Sequence, residues 1–391
     1  MLRLLANAHV YSPDDEGLRH VLVGGGRILA IVNDPDDVSA PGLEITDLAS
    51  RRLVPGLIDG HAHITGGGGE SGFASRVPGV PLSRFTRAGI TTVIGVLGTD
   101  DTTRDTRSLV AQALALREEG LSAWCHTGGY HVPPVTLTGS VRDDIVFIDP
   151  IIGVGELAIS DHRSSQPTLE ELLRIASDAH VAGLITGKAG ILHLHLGDGP
   201  RGMASIRKML SQSELPARVL NPTHVNRRKA LFDEALELAA AGVVIDITAF
   251  PVGEGEDAID AVEALERFFA SGTAEEQVTV SSDGGGCLPE WNAMGELVSM
   301  DVGSPSALAG TLTALLDRGV PPERALKPFT SNVAQLLRLH RKGRIAPGRD
   351  ADLVVLDENN RIRDVMASGV WHVREGEQLI FGRFERDSAL K

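Results

Sequence analysis

At 391 residues, with 42% hydrophobic and 23% charged side chains, the chain is long enough for one large core plus a smaller module, since single cores stop growing near ~250–300 residues. Its formal charge of −15 argues against nucleic acid or an anionic membrane as a partner, because phosphate binding needs a basic patch and none is visible in the sequence. Two cysteines, Cys125 and Cys287, make no disulfide framework and no zinc-type spacing, and neither a signal-type apolar segment nor a run of ~18 apolar residues occurs, so a cytoplasmic location is expected.

Residues 1–52 carry short apolar pieces, Leu2–Leu5, His20–Val23 and Arg27–Ile31, punctuated by Gly24-Gly-Gly26, which predicts small antiparallel β structure. From Leu53 onward apolar runs alternate with amphipathic stretches. Strands are expected at Leu53–Asp59, Thr91–Leu97, Ser122–His126, Ile151–Glu156, Ile191–His195, Val219–His224, Val243–Ile247 and Val278–Asp283. Helices are expected at Thr106–Glu119, Thr168–Ala182, Arg228–Ala241 and Asp257–Ala270, with apolar residues at helical spacing and a glycine just beyond. Val132–Asp149 breaks this rhythm and reads as an irregular excursion or short hairpin. Helices at Ser304–Arg318 and Pro322–Leu339 close the region, after which short strands return at Arg344–Leu356, Val365–Val373 and Gln378–Phe381.

Eight buried strands alternating with helices predict an α/β fold, a (β/α)8 TIM barrel over residues 53–342, with its functional groups at the C-terminal strand ends. A doubly wound open sheet is the structural rival. Residues 1–52 and 343–391 are expected to pair into one small β-sandwich module built from both chain ends.

The strand ends repeat one chemistry. His61 and His63 stand two residues apart, so both imidazoles can point to one side just beyond the first strand. A single His-x-His pair is more often structural than metal-binding. Here, however, Glu156, His195, His224 and Asp283 end four other strands, and a barrel would bring all six groups to one face. Four imidazoles and two carboxylates suit a pair of borderline divalent ions, zinc foremost, with Glu156 central enough to bridge them. His193 lies a pleat deeper on the strand of His195 and is assigned to the barrel interior; His126 ends the third strand and is a lesser candidate.

These features resemble the amidohydrolase superfamily, through Pro-Gly-Leu-Ile-Asp-Gly-His-Ala-His at residues 55–63, the later His, His and Asp, and the run Gly343-x-Ile-x-Pro-Gly-x-Asp-Ala-Asp-Leu-Val-Val-Leu356. More narrowly the chain is similar to the isoaspartyl dipeptidases, in Gly66-Gly-Gly-Gly-Glu70, Leu97-Gly-Thr-Asp100, Gly129-Tyr-His-Val-Pro133, Thr138-Gly-Ser140, Ser160-Asp-His-Arg163, Pro222-Thr-His-Val-Asn-Arg227 and Ser281-Ser-Asp-Gly284. The resemblance implies that Glu70 receives the substrate's α-amino group and that Arg163, with Thr99 and the backbone near Gly68, grips the aspartyl α-carboxylate. It further implies that Arg227 holds the carboxylate of the leaving residue and that Tyr130 donates to the scissile carbonyl.

Two positions depart from the family pattern. Glu156 stands where a carboxylated lysine usually bridges the metals, and its shorter reach requires the backbone at Gly155 to come closer. Cys287 replaces a serine near the leaving-group carboxylate. The implied reaction is hydrolysis of β-aspartyl dipeptides by a metal-bridging hydroxide, with Asp283 as general base and then general acid. A related hydrolase of N-acyl amino acids or cyclic amides is the alternative, and a non-catalytic scaffold is a third. The resemblance also implies a homo-oligomer, an octamer being one form, with a small dipeptide as the substrate.

Overall fold

The computed structural model describes residues 2–291 and 297–385. Eight parallel strands form its centre: β1 (Leu57–Ala62), β2 (Ile90–Gly95), β3 (Ser122–Thr127), β4 (Ile151–Ile159), β5 (Leu192–Leu196), β6 (Leu220–Thr223), β7 (Ile245–Thr248) and β8 (Val278–Ser281). β1 to β6 pair in sequence order as one curled sheet, and β7 pairs with β8. Just past the strand ends the ring is joined on both sides: Val225 N donates to Asp246 O at 3.4 Å, and His63 N donates to Gly284 O at 2.8 Å beside a parallel bridge between Ala62 and Gly284. The rival open sheet is thereby set aside in favour of the TIM-barrel architecture.

Helices α1 (Leu82–Arg87), α2 (Thr106–Glu118), α3 (Val141–Phe147), α4 (Leu169–Thr186), α5 (Ala204–Ser211), α6 (Lys229–Ala240), α7 (Ala261–Ala270) and α8 (Ser306–Asp317) follow the strands. Local chemistry sets their ends. Asp105 with Ser108 and Thr168 with Glu171 form capping boxes that satisfy the first free N–H groups of α2 and α4, and Gly187 ends α4 in the left-handed conformation. The buried stripe of α4, Leu172, Ile175, Ala176, Ala179 and Ala182, lies on the outer surface of the sheet. A separate apolar cluster, including Ile58, Ile94, Ile152, Ile191, Val333 and Leu337, plugs the N-terminal end of the barrel, leaving the opposite end for polar groups.

Both chain ends meet in a nine-stranded sheet. Its N-terminal members are Leu2–Tyr11, Asp15–Gly24, Arg27–Val32, Leu43–Asp47 and Arg52–Pro55; its C-terminal members are Leu353–Leu356, Ile362–Ala367, Val370–Arg374 and Glu377–Gln378. Arg52–Pro55 is the seam, pairing parallel with the first strand and antiparallel with Leu353–Leu356.

Several elements differ from the sequence reading. The run Leu53–Asp59 is two strands split at Gly56, where a Cβ would lie 2.2 Å from Thr91 Oγ1. There the backbone changes partners: Gly56 N donates to Asp352 O in the terminal sheet, and Leu57 N to Gly89 O in the barrel. Val132–Asp149 contains helix α3, capped by the Ser140 side chain on Asp143 N, where an irregular excursion or hairpin was expected. Pro322–Leu339 is three short pieces, Pro322–Ala325, a 3-10 turn at Lys327–Phe329 and Ser331–Leu336, because Pro328 cannot donate within a continuous helix. Val365–Val373 reverses at Ser368-Gly369, both at positive φ, into a hairpin. The hairpin Cys287–Trp291 with Leu297–Val302 and the strand Leu43–Asp47 went unanticipated. Among the described residues no helix is long and apolar enough to cross a membrane.

Candidate active site and metal centre

β1 carries His61 and delivers His63 immediately after it; Glu156 lies in β4, His195 in β5, and His224 and Asp283 follow β6 and β8. All six side chains are buried. Glu156 Oε1 is 3.6 Å from His61 Nε2 and 3.3 Å from His63 Nε2, while its Oε2 is 2.9 Å from His195 Nδ1 and 3.4 Å from His224 Nε2. Asp283 Oδ1 closes the first group, 3.5 Å from His61 Nε2 and 3.1 Å from His63 Nε2. The result is two triads of donor atoms, His61–His63–Glu156 and Glu156–His195–His224, each within 4.8 Å, sharing one carboxylate.

The reach of Glu156 depends on its neighbour. Gly155 has φ +141, and a Cβ there would sit 2.4 Å from His193 O. Without a side chain the strand can press against β5, which brings the Glu156 carboxylate within 3.6 Å of all four imidazoles. Gly98 does the same for His63, whose Cε1 would be 2.8 Å from a Cβ at that position.

Hydrogen bonds behind the ligands fix which nitrogen faces the centre. Asn221 Nδ2 donates to Val244 O, so its Oδ1 accepts from His193 Nδ1 at 2.6 Å; His193 Nε2 then accepts from His61 Nδ1 at 2.8 Å, and His61 turns the lone pair of Nε2 inward. His224 Nδ1 is 2.8 Å from Thr248 Oγ1, which leaves its Nε2 for the centre. Burial pushes His193 and His224 down to about 3, so both are neutral imidazoles. Burial opposes a charge on His63 as well, but Asp283 and Glu156 outweigh it and raise His63 to about 10. The same field that holds a proton there would hold a cation. Asp283 and Glu156 stay ionised despite burial, held well below the usual carboxylate range by the surrounding imidazoles.

Among the described residues the buried His61 Nε2 and Asp283 Oδ1 have no hydrogen-bond partner, although they face each other. Orphaned inward-facing donor atoms, neutral imidazoles and a shared carboxylate fit divalent metal ions. His126 is not among these groups. It is buried behind His193, with ring centroids 5.4 Å apart.

Around the mouth stand the other singled-out residues. Tyr130 OH is 2.8 Å from His195 Nδ1, and burial raises its phenol well above 10. Arg163 NH1 donates to Glu70 Oε1 at 3.2 Å, and its Nε and NH2 donate to Asp161 at 3.0 and 2.8 Å. Arg227 NH1 is 3.4 Å from His195 Nε2. Gly68 is left-handed, with a Cβ position only 2.4 Å from Ser75 O. Glu70 and Thr99 line a cleft of about 210 Å³ together with Phe73 and Arg76. Cys287 opens the hairpin after β8, and burial lifts its thiol to about 12, so it is uncharged.

Sequence reasoning passed over several supports. Asp59 accepts from Ser282 N at 3.1 Å and Ser282 Oγ at 2.5 Å, locking the end of β1 to the residue before Asp283. Asn221, Thr248 and Asp161 act on the imidazoles in the same way. Asp59 and Asp161 each stand two residues from a candidate, a spacing that could have flagged them.

A barrel with histidines and acids gathered at one mouth defines a hydrolase of the amidohydrolase type. The profile described as the Amidohydrolase family matches residues 52–372, and the chain belongs to that family. Within it, the chain is similar to the β-aspartyl dipeptidase of Fervidobacterium islandicum AW-1, solved in complex with the β-Asp-Leu dipeptide: identity is 42%, the TM-score is 0.92, and 97% of this chain and 98% of that one are covered. A second structure of the Fervidobacterium protein aligns with a TM-score of 0.89, at 42% identity and over 97% and 99% of the two chains. An adenine deaminase of Klebsiella pneumoniae subsp. pneumoniae is 26% identical over 387 residues, which cover 96% of this chain; the chain spans 57% of the deaminase's length.

Proposed function

We propose that the chain is a metal-dependent dipeptidase that hydrolyses β-aspartyl dipeptides, with zinc as the metal, two ions per subunit, and Asp283 as general base and acid. One observation carries this beyond family membership: the Arg163–Glu70 pair, 3.2 Å apart, stands at the mouth beside the ligand groups. A free amino-acid head group has one ammonium and one carboxylate, and a neighbouring carboxylate and guanidinium are the complementary set. N-acyl and cyclic substrates lack that pair of charges. The likeness to the Fervidobacterium enzyme supports the same substrate class.

Ions held by His61, His63, Glu156, His195, His224 and Asp283 would lower the pKa of water at the centre toward neutrality and polarise the scissile carbonyl. The chain's own residues do the rest. Asp283, ionised, takes the proton of the attacking water at Oδ1 and later passes it to the leaving amine. Tyr130, a protonated phenol, donates to the oxygen that gains charge. Arg163 and Glu70 orient the aspartyl head group, with Thr99 and the Gly68 backbone beside it, and Arg227 receives the carboxylate of the leaving residue next to the uncharged Cys287. A cytoplasmic homo-oligomer belongs to the same proposal.

The test is a substrate panel on zinc-loaded protein: β-Asp-Leu, an N-acetyl amino acid, a cyclic imide and adenine. β-Asp-Leu should lead by at least about 100-fold in kcat/KM, since losing charged partners leaves buried polar groups unmatched. Turnover of adenine or the imide without β-Asp-Leu would overturn it.

A further inference from the structure

We propose that Asp161 is a positioning residue that joins the metal centre to the substrate-binding arginine. It follows β4 in the turn Ser160–Arg163, and its side chain is buried. Oδ2 lies 3.1 Å from His195 Nε2 and 2.8 Å from Arg163 NH2; Oδ1 accepts from Arg163 N at 2.7 Å and from Arg163 Nε at 3.0 Å. One carboxylate thus grips a metal-ligand candidate on one edge and a guanidinium on the other.

The consequences follow from the geometry. Ionised carboxylates only accept, and His195 meets one at each nitrogen, Asp161 at Nε2 and Glu156 Oε2 at Nδ1, 2.9 Å away; a cation on the Glu156 side, taking the Nδ1 lone pair, would leave the ring proton on Nε2 toward Asp161. A carboxylate behind a ligating imidazole fixes the tautomer and ring orientation and makes the ligand more basic. On the other edge, Asp161 takes the Nε and NH2 side of Arg163, so that NH1 is the donor aimed at Glu70. Packing leaves this carboxylate little freedom: a Cβ on Gly197 would lie 2.4 Å from Asp161 Cβ, and the Asp161 carbonyl accepts from Gln166 Nε2 at 2.9 Å. Arg163 and His195 lie 32 positions apart and touch each other at 3.4 Å, between Arg163 NH2 and His195 Nε2, whereas Asp161 holds both at closer range.

The inference rests on the dipeptidase proposal, and its test separates the two. Zinc affinity is measured by chelator competition, independently of turnover, on the full chain and on Asp161→Asn; KM and kcat for β-Asp-Leu are measured in parallel. Asp161→Asn should bind zinc roughly 10- to 100-fold more weakly, the size found when a second partner of a metal-ligating histidine is lost. KM should rise even at saturating zinc, because Arg163 is released. Asp161→Glu, which keeps the charge, should recover part of both. If the parent chain binds no zinc, the dipeptidase proposal fails. If the parent binds zinc and Asp161→Asn binds it equally well with unchanged KM, the positioning role fails, whatever the thermal stability of the variant.

Discussion

Replacing Gly155 with alanine tests the link between backbone and bridge most directly. At φ +141 an L side chain is strained by about 1–3 kcal/mol. The added methyl would also stand 2.4 Å from His193 O and 2.9 Å from His193 Cβ, and such overpacking costs a further ~1–3 kcal/mol. Relief requires β4 to move away from β5, which withdraws Glu156 from His195 and His224 while loosening the tie from His193 to His61. Gly155→Ala should therefore lose about 2–6 kcal/mol of stability and bind less zinc. Gly310→Ala is the matched control: Gly310 lies within α8 with none of the described residues within 4 Å of its Cβ position, so it should gain about 0.5–1 kcal/mol from helix propensity. Both are read by denaturant unfolding of metal-free protein and by metal content after dialysis against zinc. A Gly155→Ala protein as stable as the parent, with full zinc content, would refute the idea that glycine at this point gives glutamate its reach.

Other outcomes are expected from the same site. Tyr130→Phe should lower kcat for β-Asp-Leu by about 10²–10³ with little change in KM, as for loss of one oxyanion donor; steady-state kinetics decide it. Asp283→Asn should lose about 10²–10⁴ in kcat while retaining part of its zinc, and parental turnover would exclude its acid–base role. Burial raises Asp59 to about 6, so the native state holds a proton that the unfolded chain has released. That contribution to stability is present below the unfolded value near 4 and is lost as pH rises through 6. Relative to Asp59→Asn, the parent should lose about 3 kcal/mol between pH 4 and 6 and nothing further above, measured by denaturant titrations without metal.

Much of the barrel could be read from periodicity because its strands are buried on both faces and end in the candidate ligands. That His61 and His63 share a face was readable from alternation, and their reading as ligands came from the acids and histidines ending the other strands. The reach of Glu156 was not, because it depends on the distance of β4 from β5, a tertiary quantity that Gly155 merely permits. Asp161 stayed hidden for a related reason: a carboxylate two residues from an arginine reads as a local turn until β5 brings His195 beside it. Helix α3 was masked by Pro133-Pro134 and Gly139 just upstream, although Ser140 is an ordinary N-cap. Gly56 was invisible inside an apolar run, since nothing in composition says that the chain changes sheets there.

The seam at Arg52–Pro55 also orders assembly in time. This segment lies just upstream of the first barrel strand, yet its antiparallel companion, Leu353–Leu356, is synthesised some three hundred residues later. A growing chain therefore keeps one edge of Arg52–Pro55, a few residues before His61, bare until Leu353–Leu356 has been made, the kind of edge that recruits other chains. Leu353–Leu356 is the stitch that closes this seam, and its loss would be felt far upstream in the sequence.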